Sequence, residues 1–377
     1  KRGPEARERW AEARALDRDA ARGIANAERA VLARAEVVLA TCAGCDHFQL
    51  GQGPERMVFD CAVIDEATQS ADPLLLVALA RARVAVLAGD PQQLGPVVTG
   101  GPEIEATLGS TIFERLARAT AGDPGAGAVM LEQQHRMHHQ IMAFPSRSMY
   151  GERLRAAPAV AGHTLDDLAV APDPLRPGPV WLIDTAGKDW VEQRAFEGAA
   201  PGSPQESRRP SRASRDAVDY EPGTSLTNLP VVRLDHSTFN PGNAARTCAE
   251  ARRLLSRGLP PTEIAVIAAY SAQVRRLREL LRAERAAGLE IGTVDGFQGR
   301  EKEAVIVDLV RSNERGEIGF LANTRRMNVA LTRARRFLLV VADSATLGAH
   351  PYYAQLLAYV DEIDAHGSAW SDDAPPL

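Results

Sequence analysis

Short, unbroken apolar runs, each closed by polar residues and separated by helical stretches, recur along this chain. Cys61–Ile64 and Val84–Ala88 are two of them, and Val37–Ala40 is a third. Such runs suit strands buried on both faces of a parallel sheet, because crossover helices cover both faces. Pro73–Arg83 lies between the first two and reads as that crossover, which makes a βαβ unit. The second half repeats the pattern. Val180–Ile183, Ile264–Ala268, Leu289–Val294, Ala304–Leu309 and Phe337–Ala342 read as strands, and Arg246–Leu255, Gln273–Ala287 and Arg325–Arg335 as helices. The expected fold is α/β, with two domains and a boundary near residues 125–132. Residues 1–35 precede the core as a long charged helix rich in Ala, Arg and Glu. Residues 36–128 belong to the first domain and 129–365 to the second. Residues 198–228, rich in Ser, Pro, Gly and Arg, read as a flexible insertion, with Arg208, Arg209, Arg212 and Arg215 as an alternative basic clamp, and residues 366–377 as a tail.

Composition excludes some classes. The 377 residues carry a net charge of −5, which argues against coating duplex DNA by bulk positive charge but leaves room for a local basic cleft. No apolar run approaches the roughly 18 residues of a membrane span, so no membrane partner is expected and a cytoplasmic location is the default. Four cysteines do not make a disulfide framework, and the lone C-x-x-C of Cys42 and Cys45 lacks the second pair that a zinc site needs.

Chemistry concentrates at the strand ends. The run from Cys61 closes in Asp65-Glu66-Ala67-Thr68. A strand-end carboxylate suits Mg²⁺ held largely through water, and a neighbouring one can act on an attacking water. The next strand runs into Gly89-Asp90-Pro91-Gln92-Gln93, where amides can sense a phosphate oxygen. Together the two ends look like one nucleotide site. Further on stand Gln134-His135-Arg136-Met137, Val294-Asp295-Gly296-Phe297-Gln298-Gly299-Arg300-Glu301-Lys302 and Asn328-Val329-Ala330-Leu331-Thr332-Arg333-Ala334-Arg335. In the last, Met327, Ala330, Leu331 and Ala334 share one helical face, while Arg326 and Arg333, seven apart, lie on another.

These blocks, DEAT, GDPQQLGPVV, QHRM, VDGFQGREK and NVALTRAR, resemble in order and spacing those of the superfamily 1 helicases. The branch is that of the RNA helicases of nonsense-mediated decay and the immunoglobulin mu-binding helicases. The resemblance implies two tandem RecA-like domains with parallel sheets, the first N-terminally incomplete, and an ATP-driven 5′ to 3′ motor on single-stranded DNA or RNA. It implies that Asp65 holds Mg²⁺, that Glu66 is the catalytic base and that Gln93 reads the γ-phosphate. Arg136 and Arg333 would be arginine fingers. Glu301 would meet the ribose, Gln298 and Gly299 would lie near the phosphates, and His135 would stack on adenine. Thr41, Cys42, Pro96, Val97 and Thr293 would touch the strand.

One departure stands out. The phosphate loop G-x-x-x-x-G-K-[ST] does not occur, and lysine appears only at positions 1, 188 and 302. The resemblance places that loop upstream of the helix that begins this sequence, so a partner segment carrying it is expected. Alone, the chain is expected not to hydrolyse ATP. The alternative is a binding module that holds single strands or a partner without turnover.

Overall fold

The computed structural model describes residues 3–47, 50–51, 53, 56–96, 109–120, 123, 127–195 and 237–370. The insertion 198–228 with its four arginines, Val97 and the end of the tail lie outside them. The chain divides into two compact units after Met130.

The first unit opens with α1 (Pro4–Leu32), 29 residues begun by a proline in the first turn, where the missing N–H costs nothing. Two parallel strands follow, β1 (Phe59–Ile64) and, after α2 (Asp72–Leu79), β2 (Ala82–Leu87), paired from Phe59 with Ala82 to Ile64 with Leu87. The unit's α3 (Ile112–Ala119) starts on Thr111, whose hydroxyl accepts the Glu114 amide. Ile64, Ala67, Leu75 and Ala78 form a small core between β1 and α2.

Two expectations fail here. Residues 37–40 form no strand, and Val37 and Leu39 are exposed. Nor are the two strands buried on both faces, since Val63, Val84 and Val86 are exposed. The described residues cover one face of this pair, where α2 packs with Cys42, Cys45 and Ile112 and Phe113 of α3, and supply no third strand. An unbroken apolar run signals two-sided burial only when both covers are present.

The second unit opens with a short parallel pair, β3 (Gln133–Gln134) and β4 (Arg155–Ala156), on either side of α4 (His139–Met149). Its main sheet has six parallel strands. These are β5 (Val180–Asp184), β8 (Ile264–Ala268), β9 (Glu290–Thr293), β10 (Lys302–Asp308), β11 (Ala334–Ala342) and β12 (His366–Ser368), in the order β12-β5-β11-β10-β8-β9. A two-residue antiparallel pair, β6 (Gln193–Arg194) with β7 (Thr238–Phe239), brackets the undescribed segment. All five residues of β8 are fully buried, as its unbroken apolar run requires. Alternate residues of β8, β10 and β11, among them Val266, Ile306 and Leu339, pack with Ala244, Cys248 and Ala251 of α5 (Pro241–Ser256) and Val274 and Leu277 of α6 (Ser271–Leu280).

Three boundaries differ from expectation. The helix expected over Gln273–Ala287 breaks at Leu281 into α6 and α7 (Arg282–Ala286). The helix expected over Arg325–Arg335 stops early, as α8 (Thr324–Leu331), because Ala334 pairs with Lys302 and begins β11. Arg326 and Arg333 therefore do not share a helical face. In the tail, residues 366–368 follow α9 (Pro351–Glu362) as the edge strand against β5, with Ala365 and Ala369 buried beside it.

Candidate functional site

In the first unit, the polypeptide leaving β1 is tied to the loop leaving β2. The Ala67 amide donates to Ala88 O at 2.8 Å, and the Ala88 amide to Ile64 O at 2.8 Å. Thr68, 1 % exposed, accepts the Asp90 amide on its hydroxyl at 3.4 Å. Gly89 lies so close that an added Cβ would sit 3.1 Å from the Thr68 amide nitrogen, a tight contact to which the Thr68 backbone would have to yield. Asp65 and Glu66 are exposed at this junction, and the Glu66 amide donates to Asp65 Oδ1 at 2.9 Å. Glu66 adopts a left-handed backbone (φ 52), a conformation that costs a non-glycine residue about 1–2 kcal/mol. In the next loop Asp90 organises both amides: Oδ1 accepts the Gln92 N–H at 2.9 Å and Oδ2 accepts Gln93 Nε2 at 2.8 Å.

An exposed carboxylate at a strand end is a donor of the kind Mg²⁺ takes. Among the described residues no group of three or more His, Cys, Asp or Glu gathers into a metal cage, and a Mg²⁺ ion held chiefly by water and phosphate needs none. Asp65 offers it one exposed carboxylate.

In the second unit, Gln134 braces the loop that carries Arg136. Its Oε1 accepts the amides of Arg136 and Met137 at 2.8 and 2.7 Å, and its Nε2 donates to Met137 O. Arg136, with 32 % of its side chain exposed, bonds Glu301 through Nε and donates from Nη1 to Thr332 O at 3.1 Å. One guanidinium thus joins three of the sequence blocks. His135 is exposed, its Nε2 3.3 Å from Gln133 Nε2. Arg333 is placed differently. It is 2 % exposed and turns back onto the end of α8, donating to Val329 O at 2.9 Å, Arg300 O at 3.3 Å and Thr332 Oγ1 at 3.1 Å. Carbonyls at a helix C-terminus carry partial negative charge, which stabilises a buried cation there. Gln298 is half-buried, and Gly299, next to it, has φ 76. Glu301 also lies 3.6 Å from Arg335.

Beneath this loop His138 and His163 meet the Arg335 carbonyl, the first through its amide at 2.9 Å and the second through Nε2 at 2.7 Å. Burial, with His139 and His163 nearby, pushes His138 down to about 4. Burial also lowers His163.

The residues expected on the strand are dispersed over both units. Thr41 is exposed and accepts the Gly44 amide on its hydroxyl. Half-buried Cys42 lies 3.8 Å from Ser70 Oγ, and Pro96 is half-buried. Thr293 ends β9 on the wall of a cavity of about 640 Å³. Gln134, Thr68 and Asp90 carry this framework, and the sequence assigns none of them these contacts. They lie inside the quoted blocks, but nothing in their spacing announces the bonds.

A family model described as an AAA domain matches residues 108–345, and a second, also an AAA domain, matches residues 1–100. The chain is 38% identical over 337 residues to the DNA-binding protein SMUBP-2 of Mesocricetus auratus, covering 88% of this chain and 29% of that protein. It is 34% identical over 365 residues to the DNA polymerase alpha-associated DNA helicase A of Schizosaccharomyces pombe, covering 96% and 48%. It is 30% identical over 340 residues to the regulator of nonsense transcripts 1 homolog of Neurospora crassa, covering 88% and 26%. The chain therefore spans between about a quarter and a half of the length of these relatives.

Proposed function

This chain belongs to the superfamily 1 helicases, in the branch of the nonsense-decay and mu-binding helicases, and from that premise we propose that it is the core of an ATP-driven motor on single-stranded nucleic acid. The observation that carries the ATPase part is the carboxylate pair Asp65–Glu66 at the carboxyl end of β1, bonded through the backbone and Thr68 to the amide-bearing loop after β2.

In this reading Asp65 would hold Mg²⁺, which would supply charge neutralisation at the phosphates. Glu66 takes a proton from the attacking water. Gln93, oriented by Asp90, reads the γ-phosphate, and its release on phosphate loss loosens the loop. Arg136 is the finger better placed to reach charge, being partly exposed on a braced loop. Arg333 would first have to leave the carbonyls of Val329 and Arg300. Gln298, Gly299 and Glu301 lie toward the phosphates and ribose, and His135 toward the base. Thr41, Cys42, Pro96, Val97 and Thr293 grip the strand, with movement 5′ to 3′.

The amide cradle and lysine of a phosphate loop come from a partner segment, in the same protein or another chain. The test is phosphate release with and without a single strand. The 377-residue chain alone is expected to release none above background. Joined to a phosphate-loop segment, it should turn over ATP in a strand-dependent way. Glu66→Gln in that protein should keep nucleotide binding and lower turnover at least about a hundredfold. Near-normal turnover in that variant removes Glu66 from the role. Strand-stimulated release by the chain alone, lost in Glu66→Gln, would show that no phosphate loop is needed.

A further inference from the structure

The cavity at the end of β9 has cationic walls. Arg275 and Arg278 of α6, Arg285 of α7 and Arg300 of the loop before β10 line it, against a single carboxylate, Glu290. That carboxylate is already shared by two cations, Arg300 at 2.7 Å and Lys302 at 2.9 Å. Local charge is therefore strongly positive, in a chain whose net charge is −5. Arg278 is fixed in place, donating from Nε and Nη2 to Ile291 O at 3.1 and 2.8 Å. Arg300 stands over the Phe297 ring at 5.5 Å. The floor is kept open by Gly292, where an added Cβ would come within 3.0 Å of the Phe297 ring.

The volume, about 640 Å³, suits a small-molecule site, but such sites are mostly apolar, and this one is lined by guanidinium groups. Arg275 and Arg278 lie on α6 and Arg285 on α7, past the break at Leu281, so the three cations are strung along two successive helices. A lone phosphate calls for donors converging on one point, whereas a row of cations matches a repeating charge. Guanidinium forks also suit phosphate geometry. The row begins beside Thr293, where strand contact is already proposed.

We propose that this arginine wall of α6 and α7 holds the phosphodiester backbone of the single strand at the second unit, extending the grip well past Thr293. The inference rests on the motor reading above and assigns that strand its path. The contacts are electrostatic, so they carry affinity and no base preference.

The test is binding of a fluorescein-labelled oligothymidylate to the 377-residue chain, followed by anisotropy across a salt series. For a single strand each phosphate contact contributes about 0.7 to the slope of log affinity against log salt. The double variant Arg275→Gln/Arg285→Gln should lower the slope by about 1.4, with affinity falling about tenfold or more at low salt. Arg275→Lys/Arg285→Lys keeps the charge and should keep the slope, which separates lost contacts from a damaged fold. A glutamine variant with the wild-type slope, when the wild type binds the strand, overturns the arginine wall and leaves the motor reading intact. A wild-type chain that binds no strand at any salt overturns both.

Discussion

Replacing Asp308 by asparagine should change how the stability of the second unit depends on pH. Asp308 closes β10 and is fully buried. It accepts four bonds: from the Val310 amide at 3.0 Å and Asn243 Nδ2 at 3.5 Å on one oxygen, and from Gln273 Nε2 at 2.5 Å and the Thr247 hydroxyl at 3.2 Å on the other. Those donors favour the carboxylate, but burial outweighs them and raises its pKa from 3.8 to about 6. At about 1.4 kcal/mol per pH unit, ionisation then costs the folded state on the order of 3 kcal/mol at neutral pH. The folded carboxyl takes up its proton as pH falls through about 6, while the unfolded one waits until about 3.8. Stability therefore rises on acidification across that window. His138 opposes it. Its pKa is lowered from 6.5 to about 4, so its contribution is lost as pH falls through the same range, and the wild-type curve alone is uninformative. The difference between wild type and Asp308→Asn cancels the histidine. Asparagine also puts an N–H against locked donors. Gln273 cannot turn to accept it, because its Oε1 takes the Asn240 amide and its Nε2 donates to Asn240 O. That adds a pH-independent cost of about 1–3 kcal/mol. Urea unfolding of the second unit at several pH values between about 7 and about 4 should show the wild-type advantage growing on acidification by about 2 kcal/mol. An advantage that stays constant would mean that Asp308 is ionised throughout, and the reasoning would fail.

Two further substitutions test the site. Arg333→Lys should destabilise the second unit by about 1–3 kcal/mol, because a lysine cannot serve Val329 O, Arg300 O and Thr332 Oγ1 at once, and urea unfolding measures it. In a complete ATPase the same change should lower turnover about a thousandfold if Arg333 reaches phosphate, and a small effect leaves it a structural group. Gly89→Ala should cost the first unit about 1–3 kcal/mol by pressing on the Thr68 backbone, and unchanged unfolding would show that the loop yields freely.

Much of the fold was legible wherever a run of apolar residues sat between two covers. Ile264–Ala268 was read to the residue because every one of its side chains is buried. The same signal misled at residues 37–40, since a run of apolar residues cannot report whether its covers are present. NVALTRAR reads as one helix because Met327, Ala330, Leu331 and Ala334 recur at helical spacing, yet all four are buried for two different reasons. Three lie on α8, and Ala334 is paired with Lys302 as β11 begins. Tertiary pairing overrode local periodicity and moved Arg333 from the face expected to carry Arg326 to the interior. The carboxylates and the arginine of QHRM were legible as chemistry, but their bracing was not. The side chains of Gln134, Asp90 and Thr68 brace neighbouring loop amides, which spacing does not encode. The arginine wall escaped notice because RRLRE on a helix reads first as a solvated charged face. Only the cavity beside β9 shows which of those arginines face a common space.

The ion pair between Arg136 and Glu301 suggests how the proposed site would keep its finger in reserve. A cation on a braced loop, aimed at nothing, would bind any stray anion. Here Glu301 holds it, and Glu301 is in turn 3.6 Å from Arg335, a second cation that also pairs with Glu303 at 3.2 Å. If Glu301 turns to a ribose hydroxyl in the bound state, the same movement frees Arg136 for phosphate. The exchange is nearly balanced, because a partly exposed ion pair is worth only about 0.2–1 kcal/mol. A phosphoryl group in transfer offers a guanidinium far more than that. The finger would therefore be held weakly enough to leave and firmly enough to wait. Thr332 O, which accepts from Nη1 of the same guanidinium, keeps the loop registered against the end of α8. Arg333 also bonds this residue, donating from Nη2 to the Thr332 hydroxyl, so both arginines meet at Thr332.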